Sequence, residues 1–158
     1  RVEDGRTAIE CLTNIAKTPL TNNFFSLHND WRGMNVSLCM DPAPVQLDAV
    51  VGYVNAIQEM LVYSSEELVK LLPALSDELK KGSVKDFRYV NGMLNMQWDV
   101  QKNSFCAVLK AERAHKLWIQ LPKEFTGYQF ETTDCSIKRD GELFCLEMGK
   151  QATIKITV

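Results

Sequence analysis

The hydrophobic pattern of the chain changes its period once, near Ser64, and this change limits the folds open to it. Upstream, apolar residues recur every three or four positions, which is typical of amphipathic helices, and downstream they mostly alternate with polar residues, which is typical of strands that bury one face. The sequence therefore predicts an α+β chain, with helices in residues 1–64 and an antiparallel β-sandwich in residues 65–158.

Two upstream segments carry the helical pattern. The first is predicted over residues 2–17 and ends before Pro19, and the second is predicted over residues 45–63. The second helix has a long apolar stripe, formed by Leu47, Val50, Val51, Val54, Ile57 and Leu61. One neighbouring helix covers such a stripe only in part. We therefore expect the remainder to pack on the β domain or on a second copy of the chain, which would give a homodimer through this stripe.

Downstream of Ser64 the sequence predicts a series of short strands and one helical turn over residues 76–81. The strands are expected at residues 68–72, 84–90, 94–100, 104–112, 116–121, 128–132, 135–139, 142–148 and 152–158. Asp140 and Gly141 form a strong turn signal between two of them. Trp98 lies on the apolar face of its strand, so we expect it in the core.

Composition narrows the classes of function. The net charge of −2 and the pI near 5.7 argue against nucleic acid or an anionic membrane as a partner. No apolar run approaches the roughly 20 residues that span a bilayer. The five cysteines are scattered and form no CxxC pair, so we expect no zinc site, no redox centre and no cofactor.

The chain begins at Arg1 without a methionine or a signal peptide, and the helical pattern starts almost at once. We therefore expect the chain to be a segment of a longer protein. The sequence does not fix the compartment, which is cytoplasmic or secreted.

A series of motifs follows a consistent order along the chain. They are EDGRTA at residues 3–8, PAPVQLD at 42–48, EML at 59–61, LLPAL at 71–75, KGSVKDFR at 81–88 and GMLNMQW at 92–98. This series, over roughly residues 1–121, resembles the C-terminal portion of glycoside hydrolase family 95, an α-L-fucosidase-like family. Members of that family carry HPPFQID, then EML, LLPALP and GSVKGLRARGGF, followed by a tryptophan strand.

The resemblance implies an inverting hydrolase of α-L-fucosides or α-L-galactosides, built as a catalytic (α/α)6 barrel followed by a C-terminal β domain. The two helices would then be the last part of the barrel. The partners would be the rest of the protein's own chain and a carbohydrate ligand. By itself the segment is expected to act mainly as structural support, and whether the protein is an enzyme stays open.

By resemblance, Asp48 takes the place of the family's catalytic aspartate, which helps to activate water, while the general-acid glutamate would come from upstream segments. The motif is altered here, because Pro42 stands where the family has histidine and residues 49–52 read AVVG where it has GNFG. We therefore expect the isolated chain to be inactive. The alternative interpretation of Asp48 is an ordinary acid in a first helical turn, which the helix dipole favours.

A non-catalytic carbohydrate-binding β module is a second interpretation, and a purely structural support domain is a third. Three residues are candidates for binding a substrate. Trp118 shares its strand face with Lys116 and Gln120, so it is either exposed or covered by a neighbouring element. Trp31 lies in the long loop between the helices, and Asn55 lies on the polar face of the second helix.

Overall fold

The computed structural model describes residues 3–30, 32–33, 40–42 and 44–158. Within these residues, two helices are followed by a mostly antiparallel sheet of eight strands, which confirms the α+β prediction. The helices are α1, Gly5–Lys17, and α2, Leu47–Leu61. The strands are β1, Val62–Ser64; β2, Leu68–Leu71; β3, Lys81–Tyr89; β4, Gly92–Asp99; β5, Ser104–Ala111; β6, His115–Gln120; β7, Gln129–Asp140; and β8, Leu143–Thr157.

Side chains fix both ends of α1. Asp4 caps the N-terminus, because its carboxylate accepts hydrogen bonds from the Thr7 backbone N–H at 3.0 Å and from the Thr7 hydroxyl at 2.8 Å. At the other end, the Arg32 guanidinium donates to the carbonyl oxygens of Ala16 and Leu20, both at 2.8 Å. A cation beside the last carbonyls is also favoured by the helix dipole. The loop is thereby tied back to the end of the helix that it follows.

Helix α2 passes into β1 without a connecting loop, since Leu61 ends the helix and Val62 begins the strand. The change from helix to strand thus comes two residues before the change in period at Ser64. The sequence pattern does not predict β1, because three residues are too few to show a period of two. The strand is held by pairing with β2, in which Val62 lies opposite Leu71.

The strand order across the sheet is β1-β2-β6-β8-β5-β4-β3, and β7 pairs with the remaining edge of β8. Strands β2 and β6 run parallel, with Leu68 opposite Trp118, and every other pair of described strands is antiparallel. The sheet therefore departs from the fully antiparallel arrangement that the sequence predicts. Parallel neighbours need a long crossover, and here β3, β4 and β5 supply it.

Strands β7 and β8 form one long, bent hairpin. One edge of β8 pairs with β7, while its other edge pairs with β6 over residues 143–148 and with β5 over residues 153–157. The sequence predicts four short strands here because the residues at the bend interrupt the alternation. Asp134 and Gln151 have φ values of 54° and 67°, and the register shifts between Thr133 and Cys135. This bulge lets one hairpin pair with both halves of the sheet.

The core is one cluster of side chains from both halves of the sheet. The largest fully buried members include Phe105, Leu71, Leu72, Leu94, Leu109, Leu117, Ile119, Leu146, Ile154 and Ile156. Trp98 is buried as well, and its indole N–H donates to the Leu79 carbonyl oxygen at 2.7 Å, which confirms its predicted place. The helices add only Leu12 and Met60 to the described buried apolar side chains. The sheet therefore carries most of the core.

Gly5 allows α1 to approach the chain that follows β2, and this contact predicts the effect of an alanine substitution. An added Cβ at Gly5 would lie 2.5 Å from the Leu75 carbonyl oxygen and 2.6 Å from that of Ala74. Gly5→Ala is therefore expected to lower the free energy of unfolding by about 1–3 kcal/mol, since overpacking displaces the helix. It should also speed the hydrogen exchange of α1 amides relative to those of the sheet.

Gly52→Ala is the matched control, because nothing lies within 4 Å of an added Cβ at this position in α2. Alanine should raise the free energy of unfolding there by about 0.5–1 kcal/mol. Urea unfolding and hydrogen exchange measure both variants. Equal protection of α1 in the two variants would show that Gly5 does not control the docking.

Candidate functional site

A cavity of about 580 Å³ lies between the start of α1, the end of α2 and the β1–β2 hairpin. Its walls are mostly apolar, with a few charged groups. The lining residues are Glu3, Asp4, Thr7, Ala8, Cys11, Ala56, Glu59, Met60, Tyr63, Leu68, Lys70, Pro73 and Ala74. A concave, mostly apolar surface with a few polar groups is typical of small-ligand sites, so this cavity is the candidate functional site.

Backbone hydrogen bonds hold the walls of the cavity together. The Leu72 N–H donates to the Leu61 carbonyl oxygen at 2.8 Å, and the Ala74 N–H donates to that of Met60 at 3.3 Å. These bonds tie the end of α2 to the chain just after β2. The short side chains of Ala8 and Ala74 then leave space between the helices and the hairpin.

An ion pair borders the cavity. The Lys70 ammonium donates a hydrogen bond to the Glu3 carboxylate and lies 5.9 Å from the centroid of the Tyr63 ring. This hydrogen bond lowers the pKa of Glu3; burial opposes the effect, and the charges of Lys70 and Lys123 add to it. The cavity therefore presents a cation, a carboxylate and an aromatic ring close together. Such a combination suits a ligand with both polar and apolar surfaces.

Two aromatic residues, Tyr63 and Trp118, and the leucine between them, Leu68, continue from the cavity across one face of the sheet. We call these three residues the aromatic band. Leu68 lies opposite Trp118 in the parallel pair of β2 and β6. Tyr63 lies opposite Lys70, and Lys70 follows Leu68 by two residues in β2. Residues with this spacing project on the same face. The buried Leu117 alternates with Trp118 and projects on the opposite face, towards the core.

Trp118 is half-buried, and the Lys116 ammonium lies 5.7 Å from the centroid of its ring. The sequence leaves two alternatives for this residue, exposed or covered, and the structure shows it partly exposed. Tyr63 and Leu68 both line the cavity. The structure therefore joins Trp118 to the cavity through the aromatic band.

Two other predicted site residues, Asp48 and Asn55, do not line the cavity. Asp48 is exposed in the first turn of α2, and at about 1.5 Å per residue it lies roughly 16 Å along the helix axis from Glu59. Asn55 is exposed, and its side-chain amide donates to the Glu59 carboxylate at 3.3 Å. Trp31 lies outside the described residues. Asp48 and the cavity therefore do not form one site.

The sequence pattern does not identify Tyr63, Lys70 or Glu3 as site residues. The only local signal is the alternation of apolar and polar residues along β2, which places Leu68 and Lys70 on the same face. The contacts that bring Tyr63 and Glu3 to Lys70 come from strand pairing and from the docking of α1. A pattern confined to one element does not predict such contacts.

No protein-family model and no curated protein sequence matches the chain. Neither described helix is long and apolar enough to cross a membrane. The described residues contain no group of three or more His, Cys, Asp or Glu side chains that could hold a metal ion.

The Glu3–Lys70 ion pair is expected to make stability depend on pH. Because the pKa of Glu3 is lowered in the folded chain, the pair contributes fully above the ordinary glutamate pKa near 4.5. Its contribution is lost as the pH falls through the lowered value. Glu3→Gln should therefore lower the free energy of unfolding by up to about 1 kcal/mol at neutral pH and by almost nothing in strong acid.

Urea unfolding of both proteins at neutral and strongly acidic pH measures this difference. Glu10→Gln is the control, because Glu10 pairs with Arg6 on an exposed face of α1 and should change stability little at either pH. A difference between the wild type and Glu3→Gln that persists in acid would rule out the ion pair as its cause.

Proposed function

We propose that this chain is the C-terminal segment of a carbohydrate-active glycoside hydrolase that resembles inverting α-L-fucosidases and α-L-galactosidases. In this proposal, α1 and α2 are the last helices of an (α/α)6 barrel, and residues 65–158 form the β domain that follows it. The segment acts mainly as structural support for the barrel. The ordered motif series over residues 1–121 supports the family, and the uncovered apolar face of α2 carries the proposal of a missing helical neighbour.

This uncovered face consists of Leu47, Val51 and Val54, which are 67%, 69% and 57% exposed. Another side of α2 packs towards α1, where Tyr53 and Ile57 line a small cavity between the two helices. Contiguous exposed apolar side chains are uncommon in stable monomers and mark interaction surfaces. In a helical barrel each helix has a neighbour on both sides, so the uncovered face would lie against the preceding barrel helix.

The chemistry of inverting hydrolysis limits what this segment contributes to catalysis. An acid protonates the leaving oxygen while a base activates water on the opposite face of the sugar, and the two carboxyl groups lie about 6.5–9.5 Å apart. In the proposal, Asp48 helps to activate water and the acid comes from the upstream barrel. The exposed position of Asp48 leaves its carboxylate accessible to such partners. Pro42, in place of the family's histidine, removes one group that would orient the ligand.

The uncovered face should make the isolated chain self-associate into a homodimer, because no described element covers it. Val51→Glu is expected to weaken this association by roughly tenfold or more, since burying a valine contributes about 1.5–3 kcal/mol. Sedimentation over a range of protein concentrations measures the change. Val90→Glu is the matched control, because Val90 is 59% exposed in the β3–β4 turn and is not one of the residues that form this face. A chain that stays monomeric at high concentration would contradict the prediction.

A non-catalytic carbohydrate-binding module is the alternative function, and the aromatic band favours it. Tyr63 and Trp118 are partly exposed rings, and the cavity beside them holds the charged groups of Lys70 and Glu3. Rings with an apolar face can stack on a sugar while charged groups bind its hydroxyls. This function would need no upstream helices, so the chain would carry it by itself.

One set of measurements with fucosides separates the two functions. The support proposal expects the isolated chain neither to release nitrophenol from 4-nitrophenyl α-L-fucoside nor to bind methyl α-L-fucoside saturably. Release that is abolished by Asp48→Asn would contradict the expected inactivity. Saturable binding, followed by NMR chemical shifts, would favour the binding module if it is lost in Trp118→Ala and kept in Val90→Ala.

A further inference from the structure

His115, Met148 and Cys135 occupy one row across three adjacent strands. In the pairing of β6, β8 and β7, His115 lies opposite Met148, and Met148 lies opposite Cys135. Directly opposed residues project on the same face, with Cβ atoms about 4.5–5.5 Å apart. The row faces the core side of the sheet, where Met148 is buried and the other two residues are half-buried.

The imidazole of His115 has one nitrogen engaged and one without a partner. Nδ1 lies 2.8 Å from the Arg113 carbonyl oxygen, so Nδ1 carries the hydrogen and donates it, because a carbonyl oxygen only accepts. Nε2 then bears a lone pair. This nitrogen is shielded from solvent and has no hydrogen-bond partner among the described residues. A buried acceptor left without a partner is costly and calls for an explanation.

Tyr89 covers this row from the side of the core. Its ring centroid lies 5.8 Å from that of His115, and its hydroxyl lies 4.0 Å from the Met148 Sδ atom and donates to the Lys110 carbonyl oxygen at 3.3 Å. Burial, with the charge of Cys135 and then that of Glu112 acting in the same direction, raises the pKa of Tyr89 to about 12. The phenol therefore stays neutral and adds no charge to the row.

Cys135 is the last residue of the row, on the edge strand β7. Its Sγ atom has a weak hydrogen bond to the Ser136 carbonyl oxygen at 3.5 Å, and the residue forms no disulfide bond with another described cysteine. Burial, with the negative charge of Asp134 acting in the same direction, raises the pKa of this thiol.

We propose that His115, Met148 and Cys135 form a binding site for a soft monovalent metal ion, Cu(I). Thiolate and thioether ligands select Cu(I) over harder ions, and imidazole also binds copper. Histidines that bind metals usually donate their other ring N–H to a carboxylate, a backbone carbonyl or water, and His115 makes the second of these contacts. On binding, the Cys135 thiol loses its proton to solvent and its sulfur bonds to the ion, and the oxidation state of the metal does not change.

This inference reverses the expectation from sequence that the chain holds no metal site. That expectation rests on the scattered cysteines and the absence of CxxC spacing. The three ligands lie at positions 115, 135 and 148, so no short motif joins them. Strand pairing brings them together, and the third ligand is a thioether rather than a His, Cys, Asp or Glu side chain.

Silver(I) serves as the probe, because it shares the ligand preference of Cu(I) and does not change oxidation state. The parent protein carries Cys11→Ser, Cys39→Ser, Cys106→Ala and Cys145→Ala, which leaves Cys135 as its one thiol. Native mass spectrometry should show one silver ion per chain, and a competition titration should give its affinity. Met148→Leu and His115→Phe should each weaken binding by roughly tenfold or more, since even changes outside the ligand shell cost about 10–100-fold.

Met96→Leu is the matched control, because Met96 is also buried and lies outside the row on β4, and it should leave the affinity unchanged. Equal affinity in the parent, Met148→Leu and His115→Phe would mean that Cys135 binds silver as a lone thiol, and the proposal would be wrong. A second measurement uses the unmodified chain: the ¹⁵N resonance of His115 Nε2 should shift when silver is added. A resonance that does not move would equally overturn the site.

Discussion

The pairing of β8 is the interaction on which the rest of the structure depends. Its one edge bonds to β7, and its other edge bonds first to β6 and then to β5. The two halves of the sheet therefore share a strand, and their apolar faces form one core. If β8 were two unconnected strands, the described sheet would link β6 to β5 only by way of β7, which pairs with both halves of β8, and the β1–β2 edge that carries the cavity would depend on that one edge strand.

Sequence pattern predicts the parts of this fold whose period is regular over many residues. Both helices and strands β4 and β6 show such a period, and the placement of Trp98 in the core follows from it. The pattern does not predict features that depend on the length of a strand or on which strands pair. Strand β1 is too short to show a period, the parallel pairing of β2 with β6 leaves no local trace, and the bend at Asp134 and Gln151 divides two long strands into four apparent ones.

The residues of the candidate site also differ in whether the sequence pattern can predict them. Trp118 can be selected from sequence because its strand face also carries Lys116 and Gln120, whereas Tyr63, Lys70 and Glu3 meet only through pairing and helix docking. Asp48 comes from resemblance alone, and the structure places it far along α2 from the cavity. Residues that depend on register, including the row of His115, Met148 and Cys135, stay hidden until the strand order is known.

The short parallel junction between β2 and β6 has a consequence for how the molecule opens. Strands β3 to β8 pair with one another without β1, β2 or the helices, whereas β1 and β2 join the described sheet only along residues 67–70. Edges held by so few bonds open in sub-global fluctuations that leave the centre folded. The cavity and the aromatic band both depend on this edge, so they would disappear together in such a partly open state. A ligand that bridges them would bind only the closed edge and would shift this local equilibrium by mass action.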